Sequence, residues 1–133
     1  MASADVELVR RMHEALTCGG FAAAAEFAHP DFQMRLMASH PLGAALRDPG
    51  DATRAMAGFM ESFDDFRAEA EEFVDAGDDR VVVAFRERGR PRGGSVELDQ
   101  QFGILYTMRD GKIVCMEWFD SFDEALTAAR AED

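Results

Sequence analysis

Apolar positions along the first seventeen residues recur at three- and four-residue spacings. Val6, Val9 and Leu16 run beside Leu8, Met12 and Ala15, and this predicts a helix over 5–17 with a broad buried stripe. Cys18-Gly19-Gly20 ends it. An Ala-rich second helix is predicted over 21–28, stopping before His29-Pro30 because a residue preceding proline is pushed out of the helical region. Over 31–37 the period drops to two, placing Phe32, Met34 and Leu36 on one strand face and Gln33, Arg35 and Met37 on the other. Residues 38–50 hold Pro41, Gly43, Pro49 and Gly50 and read as a loop, after which Asp51 caps a third helix to about Phe63. That helix is expected to bury Ala52, Met56, Phe59, Met60 and Phe63.

Strand-like segments follow at 66–76, 79–90, 95–109 and 112–120, with turn signals at Ala76-Gly77-Asp78-Asp79, Gly93-Gly94 and Asp110-Gly111. Asp-Gly between short strands is a strong hairpin signal, since a type I′ turn needs positive φ at both central residues. Ser121 with Glu124 three residues on forms a capping box that opens a last helix through Arg130. Helices and strands segregated in this way predict an α+β fold with helices packed on one face of an antiparallel meander. In 112–120, Ile113, Cys115, Glu117 and Phe119 alternate with Val114, Met116, Trp118 and Asp120, so both faces are largely apolar. One face meets the helices, and a second copy is the simplest partner for the other, which predicts a homodimer through the outer sheet face.

The chain has 133 residues and 47% of them are hydrophobic, which suits one domain over 1–133. Eleven Phe and eight Met make the expected interior bulky and deformable. No apolar run approaches the roughly 20 residues that span a bilayer, and the first residues lack a basic, then apolar leader, so a cytoplasmic protein is expected. The net charge of −12 repels polyanions, which argues against nucleic acid or an anionic membrane as partner. Arg88-Gly89-Arg90-Pro91 matches the core of a minor-groove-binding hook, yet in an acidic domain it reads as a solvated turn. The acidic run Glu69, Glu71, Glu72, Asp75 reads as an exposed strand face. Cys18 and Cys115 lack paired spacing and are expected to be free, buried thiols, and none of His13, His29 and His40 pair at metal-ligand spacing. No metal and no cofactor are expected.

Val6-Glu7-Leu8-Val9-Arg10-Arg11-Met12-His13-Glu14-Ala15-Leu16, the stretch from Phe73 to Val83, and Asp110-Gly111-Lys112-Ile113 running into Trp118-Phe119-Asp120 and Asp123-Glu124-Ala125-Leu126 resemble the SnoaL-like branch of the nuclear transport factor 2 superfamily. The resemblance spans essentially the whole chain. It implies a cone: a strongly curved antiparallel sheet wrapped around the N-terminal helices, enclosing a pocket and dimerising through the sheet's outer face. It specifies chemistry less well, because one scaffold hosts many functions. At the positions where ketosteroid isomerases carry a tyrosine and a general-base aspartate, this chain has Met12 and Arg35, and the second oxyanion acid falls near Gly103 or Ile104. Of the Asp-Arg-Asp trio of limonene epoxide hydrolases, Glu117 resembles the last member, while the others fall near Ala84 and Phe85 or Arg86.

SnoaL-type cyclases use an acidic residue on the last strand, and the resemblance puts Glu117 there with Gln101 as a polar helper. A carboxylate among Ile113, Cys115 and Phe119 is costly unless it is paired, protonated or functional, and Arg35 or Arg86 are its candidate ion-pair partners. Pairing across the Asp110-Gly111 turn sets Ile104 opposite Glu117, so a bulge near Gly103 is needed to bring Gln101 to the Glu117 face. The expected catalytic residues are therefore Glu117, Arg35 and Gln101, with His13, Gln33, Arg86, Phe119, Met12 and Phe59 binding the substrate. The resemblance implies a small-molecule-binding protein acting without cofactor by acid/base chemistry on a hydrophobic carbonyl compound, as a cyclase, isomerase or hydratase. The alternative is a non-catalytic member that binds an apolar ligand or a protein.

Overall fold

A computed structural model describes residues 4–35, 58 and 61–131. Helix α1 (Ala4–Ala24) bends at Gly20, whose φ of 73° is in the left-handed region that glycine enters at little cost. The expected stop at Gly19-Gly20 is thus a kink rather than an end, and the second helix expected over 21–28 does not form: residues 21–24 finish α1 and Ala28 already belongs to a strand. A 3-10 turn (Ala25–Phe27) leads into strand β1 (Ala28–Arg35), which begins three residues earlier than the alternation suggests and takes in His29-Pro30. Proline is tolerated there because β1 is an edge strand and its missing N–H breaks no internal ladder. The remaining elements are β2 (Phe63–Gly77), β3 (Arg80–Pro91), β4 (Leu98–Arg109), β5 (Lys112–Phe119) and α2 (Phe122–Ala131). Phe63, expected at a helix end, opens β2, and the rest of the helix predicted over 51–63, with Phe59, lies almost wholly outside the described residues.

The five strands form one curved sheet in the order β1-β5-β4-β3-β2. Four strands make the expected antiparallel meander, but β1 joins its edge parallel to β5, so the sheet is mixed. The tight hairpins turn through residues with positive φ, Gly77, Asp78 and Asp79 at one and Asp110 and Gly111 at the other. Aspartate is among the few side chains that enter this region readily, which explains how Asp78 and Asp79 follow Gly77 in the β2–β3 turn.

Register across β4 and β5 departs from the hairpin count. Glu117 pairs with Leu105 and not Ile104, because Val114 bulges out of β5 between the Thr107–Cys115 and Met108–Ile113 pairs. The bulge moves Ile113 to the face of Met116 and Trp118, and Ile113 is buried with them. It also sets Gln101 on the Glu117 face without a bulge at Gly103.

Alternation then sorts the sheet into two layers. The concave face carries Val81, Val83, Phe85, Phe102, Ile104, Tyr106 and Trp118, which pack with Val6, Val9 and Met12 of α1 into the main core. On the convex face Val82 and Leu105 pack with Ala125 and Ala129 of α2, joined by Phe119, Phe122 and Leu126. Part of the second apolar face is therefore covered by the chain's own last helix. That helix sits close: a Cβ at Gly103 would lie 2.6 Å from the Ala125 Cβ and would collide with the Ser121 carbonyl oxygen. Ser121 Oγ caps the helix by accepting from Glu124 N at 3.1 Å, as the capping box requires. At its other end the buried Arg80 donates to the Ala129 carbonyl at 2.7 Å, closing a free C-terminal carbonyl with a cation. Both cysteines are free, but Cys18 is exposed and Cys115 half-buried, because the C-terminal end of α1 faces solvent.

Candidate functional site

Between α1 and the concave face lies a cavity of about 840 Å³. Its wall is mostly apolar, built from Met12, Leu16, Phe32, Met34, Phe66, Phe73, Phe85, Ile113, Met116 and Trp118. The rings are fixed against one another. Trp118 stands edge-on to Phe85 at 5.5 Å and to Phe102 at 5.7 Å, while His13 meets Phe85 at 5.5 Å and Phe73 at 5.7 Å. Such contacts pin side chains whose rotamers are otherwise free, so the wall has a defined shape.

Two polar features interrupt this wall. His13, one α1 turn before Leu16, reaches across to β4, where its Nε2 and the Tyr106 hydroxyl share a hydrogen bond at 3.0 Å. Burial lowers the His13 pKa to about 4 and raises that of the fully buried Tyr106 hydroxyl, so both are neutral at pH 7. The neutral imidazole then has one donor and one acceptor nitrogen, and the tyrosine decides which of them faces the cavity.

The second feature is Glu87. It continues the β3 stripe of Val81, Val83 and Phe85 onto the cavity wall and is 1% exposed. Its Oε1 has no hydrogen-bond partner among the described residues. Burial pushes its pKa up to about 7, and among the described residues Glu87 makes no ion pair that would offset that cost. Two residues along a strand is about 6.6 Å, so Glu87 lies one ring's width beyond Phe85, against which His13 packs.

The expected catalytic residues stand elsewhere. Glu117, Arg35 and Gln101 alternate with cavity residues and occupy the convex face. Arg35 Nη1 approaches Glu117 Oε2 at 3.7 Å and its Nη2 donates to Gln33 Oε1 at 3.4 Å, so the ion-pair reading of Glu117 describes its surroundings. Gln101 donates to Glu71 at 2.9 Å, and Arg86 binds both Glu71 at 3.1 Å and Asp99 at 2.8 Å. The Gln101 hydrogen bond, and then Arg86, hold the Glu71 carboxyl below its ordinary range. The expected acidic strand face is thus exposed but tied to β3 by Arg86 and Arg88. Phe119 packs beneath α2 and Gln33 faces outward. Of the expected binding residues, His13 and Met12 line the cavity, Arg86, Gln33 and Phe119 do not, and Phe59 is outside the described residues.

Glu87 and Tyr106 are the residues that sequence reasoning missed. A signal was present for each: Glu87 follows Val81, Val83 and Phe85 at period two, and Tyr106 stands between Ile104 and Met108 at the same period.

The SnoaL-like domain model matches residues 9–116, more than three-quarters of the chain. The chain belongs to the SnoaL-like family. This SnoaL-like protein matches solved structures over nearly its whole length. An NTF2-like protein from Burkholderia thailandensis superposes with a TM-score of 0.81 at 22% identity, covering 99% of both chains. TerC, co-crystallised with polyporic acid, gives 0.74 at 22% identity, over 94% of this chain and 99% of its own. A cystatin-like protein of unknown function from Xanthomonas campestris gives 0.73 at 21% identity, over 92% and 95%. At these identities the likeness is one of fold. No curated protein matches the sequence. Among the described residues no helix is long and apolar enough to cross a membrane, and no cluster of His, Cys, Asp and Glu could hold a metal ion.

Proposed function

We propose that this SnoaL-like protein binds a hydrophobic carbonyl compound in the cone cavity and moves a proton on it without a cofactor. Glu87 is the acid/base in this reading, and the His13–Tyr106 pair supplies the hydrogen-bonding partner of the carbonyl oxygen. The observation that carries it is the Glu87 carboxyl itself: buried, on the cavity wall, with one oxygen unpartnered among the described residues and a pKa moved to about 7. A structural carboxyl is expected to be paired, as Glu117 is with Arg35, whereas an acid/base works best with both protonation states populated at operating pH. That TerC has been co-crystallised with polyporic acid supports a small organic molecule as the ligand. The expected homodimer belongs to the same proposal, through the part of the convex face that α2 leaves open; a monomer by light scattering refutes it.

The test is hydrogen–deuterium exchange at the carbon beside the carbonyl in a panel of fused-ring ketones, followed by NMR in deuterated buffer. Wild-type protein should accelerate exchange with a rate that rises through pH 7 as Glu87 ionises. Glu87→Gln should lower the rate at least about a hundredfold while the ketone still perturbs Trp118 fluorescence. Unchanged exchange in Glu87→Gln removes Glu87 from the chemistry. Binding without any exchange selects the second reading, a ligand carrier, in which the mutual hydrogen bond of His13 and Tyr106 holds these groups in place on the wall.

A further inference from the structure

The rim of the cavity carries a cation held in place. Arg10, one turn before His13 on α1, lines the cavity with its guanidinium 4.6 Å over the Phe73 ring, and Phe73 in turn stands edge-on to His13. Stacking fixes a side chain that otherwise loses much rotamer entropy on binding, and the guanidinium edge remains a fork of donors. Glu7, at 3.6 Å, is its one ion-pair partner among the described residues, and both groups are nearly half exposed, so that pair is weak. Glu14 and Glu69 also line the cavity, but neither makes an ion pair with Arg10 among the described residues, and Glu69 lies toward the Glu87 end, facing Arg88 at 3.8 Å. Arg67 also lines the cavity, but on the edge strand β2 it pairs with Arg88, beside Glu87 and away from the Arg10 level.

Phe73 is paired with Val83, four residues before Glu87 on β3, so the Arg10 level and the Glu87 level are about 13 Å apart. Polar groups therefore succeed one another along the cavity as a cation, a neutral imidazole and a carboxyl, with aromatic wall between. We infer that Arg10 is a specificity residue that anchors an anionic group, and that the ligand is an elongated apolar molecule of two or three rings bearing a carboxylate or ionised phenol at one end. This inference rests on the cavity being the ligand site, and it adds the ligand's charge and polarity to that reading.

The single tryptophan of the chain, Trp118, lines the cavity and reports occupancy by fluorescence. Three probes transparent at its wavelengths share one apolar body: 4-cyclohexylcyclohexane carboxylate, the corresponding methanol and the corresponding methylamine. The carboxylate should bind about tenfold more tightly than the alcohol, and more tightly still than the amine. Arg10→Gln should remove that tenfold preference and leave the alcohol's affinity unchanged, with Arg10→Lys intermediate because the charge survives without the fork. Arg11→Gln, a neighbouring exposed arginine that does not line the cavity, removes the same net charge and should change nothing. An alcohol or amine that binds as tightly as the carboxylate, or a preference that survives Arg10→Gln or falls equally in Arg11→Gln, overturns the inference. Failure of all three probes to perturb Trp118 in the wild type overturns the cavity reading beneath it.

Discussion

Replacing Glu87 with glutamine should stabilise the protein at alkaline pH and change it little in acid. Glu87 has an ordinary pKa of 4.5 in the unfolded chain and about 7 in the folded one. Below pH 4.5 both states hold the proton, so burying the group costs no charge. Between 4.5 and 7 the unfolded state loses its proton while the folded state keeps it, and stability falls as pH rises; above 7 the full cost is present. Moving the carboxyl from 4.5 to about 7 corresponds to roughly 3 kcal/mol, at about 1.4 kcal/mol per tenfold change in proton affinity. At 1% exposure solvent screens only part of that cost, through the cavity that Glu87 lines. Glutamine is near in shape and cannot ionise, so the variant escapes the penalty. Urea unfolding of both proteins at pH 4.5 and pH 8.0 should show a difference that grows by about 3 kcal/mol toward alkaline pH, or about 10 °C in Tm for a chain of this size. Contributions from His13 and the surface carboxylates are common to both proteins and cancel. A stability difference independent of pH refutes the reasoning, because Glu87 would then ionise alike in both states.

Four further outcomes are expected. Tyr106→Phe removes the hydroxyl that meets His13 and should destabilise by about 1–3 kcal/mol in urea, since it leaves a buried imidazole nitrogen unsatisfied. His13 contributes in the opposite pH direction from Glu87: unfolded histidine takes up a proton near 6.5 but the folded one only near 4, so His13→Asn should lose less stability than wild type as pH falls from 6.5 to 4. Gly103→Ala should cost more than about 2 kcal/mol or displace α2, visible as lost protection of α2 amides in hydrogen exchange, because the new methyl meets the Ser121 carbonyl and Ala125. Glu117→Gln should leave both ketone-induced Trp118 quenching and any proton exchange unchanged, since its side chain lies across the sheet from the cavity; a loss of exchange there restores Glu117 to the chemistry.

The first and last helices and the strands were legible in the hydrophobic pattern, as were the Asp-Gly hairpin and the Ser121 cap, because each depends on residues within a few positions of one another; the separate helix expected over 21–28 was not found, since its residues pass from the end of α1 through a 3-10 turn into β1. The family was legible for the same reason, its signature being spread over α1, the β2–β3 hairpin and the last hairpin. Met12, on the apolar stripe of α1, and His13 beside it both line the cavity.

What the sequence left open was parity. One extra residue at Val114 changes which of two alternating sets faces inward, and a bulge is decided by how the whole sheet curves, not by its local residues. With that bulge in place, Trp118, Met116 and Ile113 point into the cone, while Glu117, Arg35 and Gln101 point away from it. Glu87 and Tyr106 are polar positions within apolar alternations, and only the packing of α1 against β3 and β4 turns them from strand residues into cavity groups. The chain alone thus determined the strands, the first and last helices, the fold family and an acidic, apolar-cored protein. The tertiary structure decided which carboxylate is buried beside the aromatic wall and which is paired on the surface, because burial is a property of the assembled faces and cannot be read from any one strand.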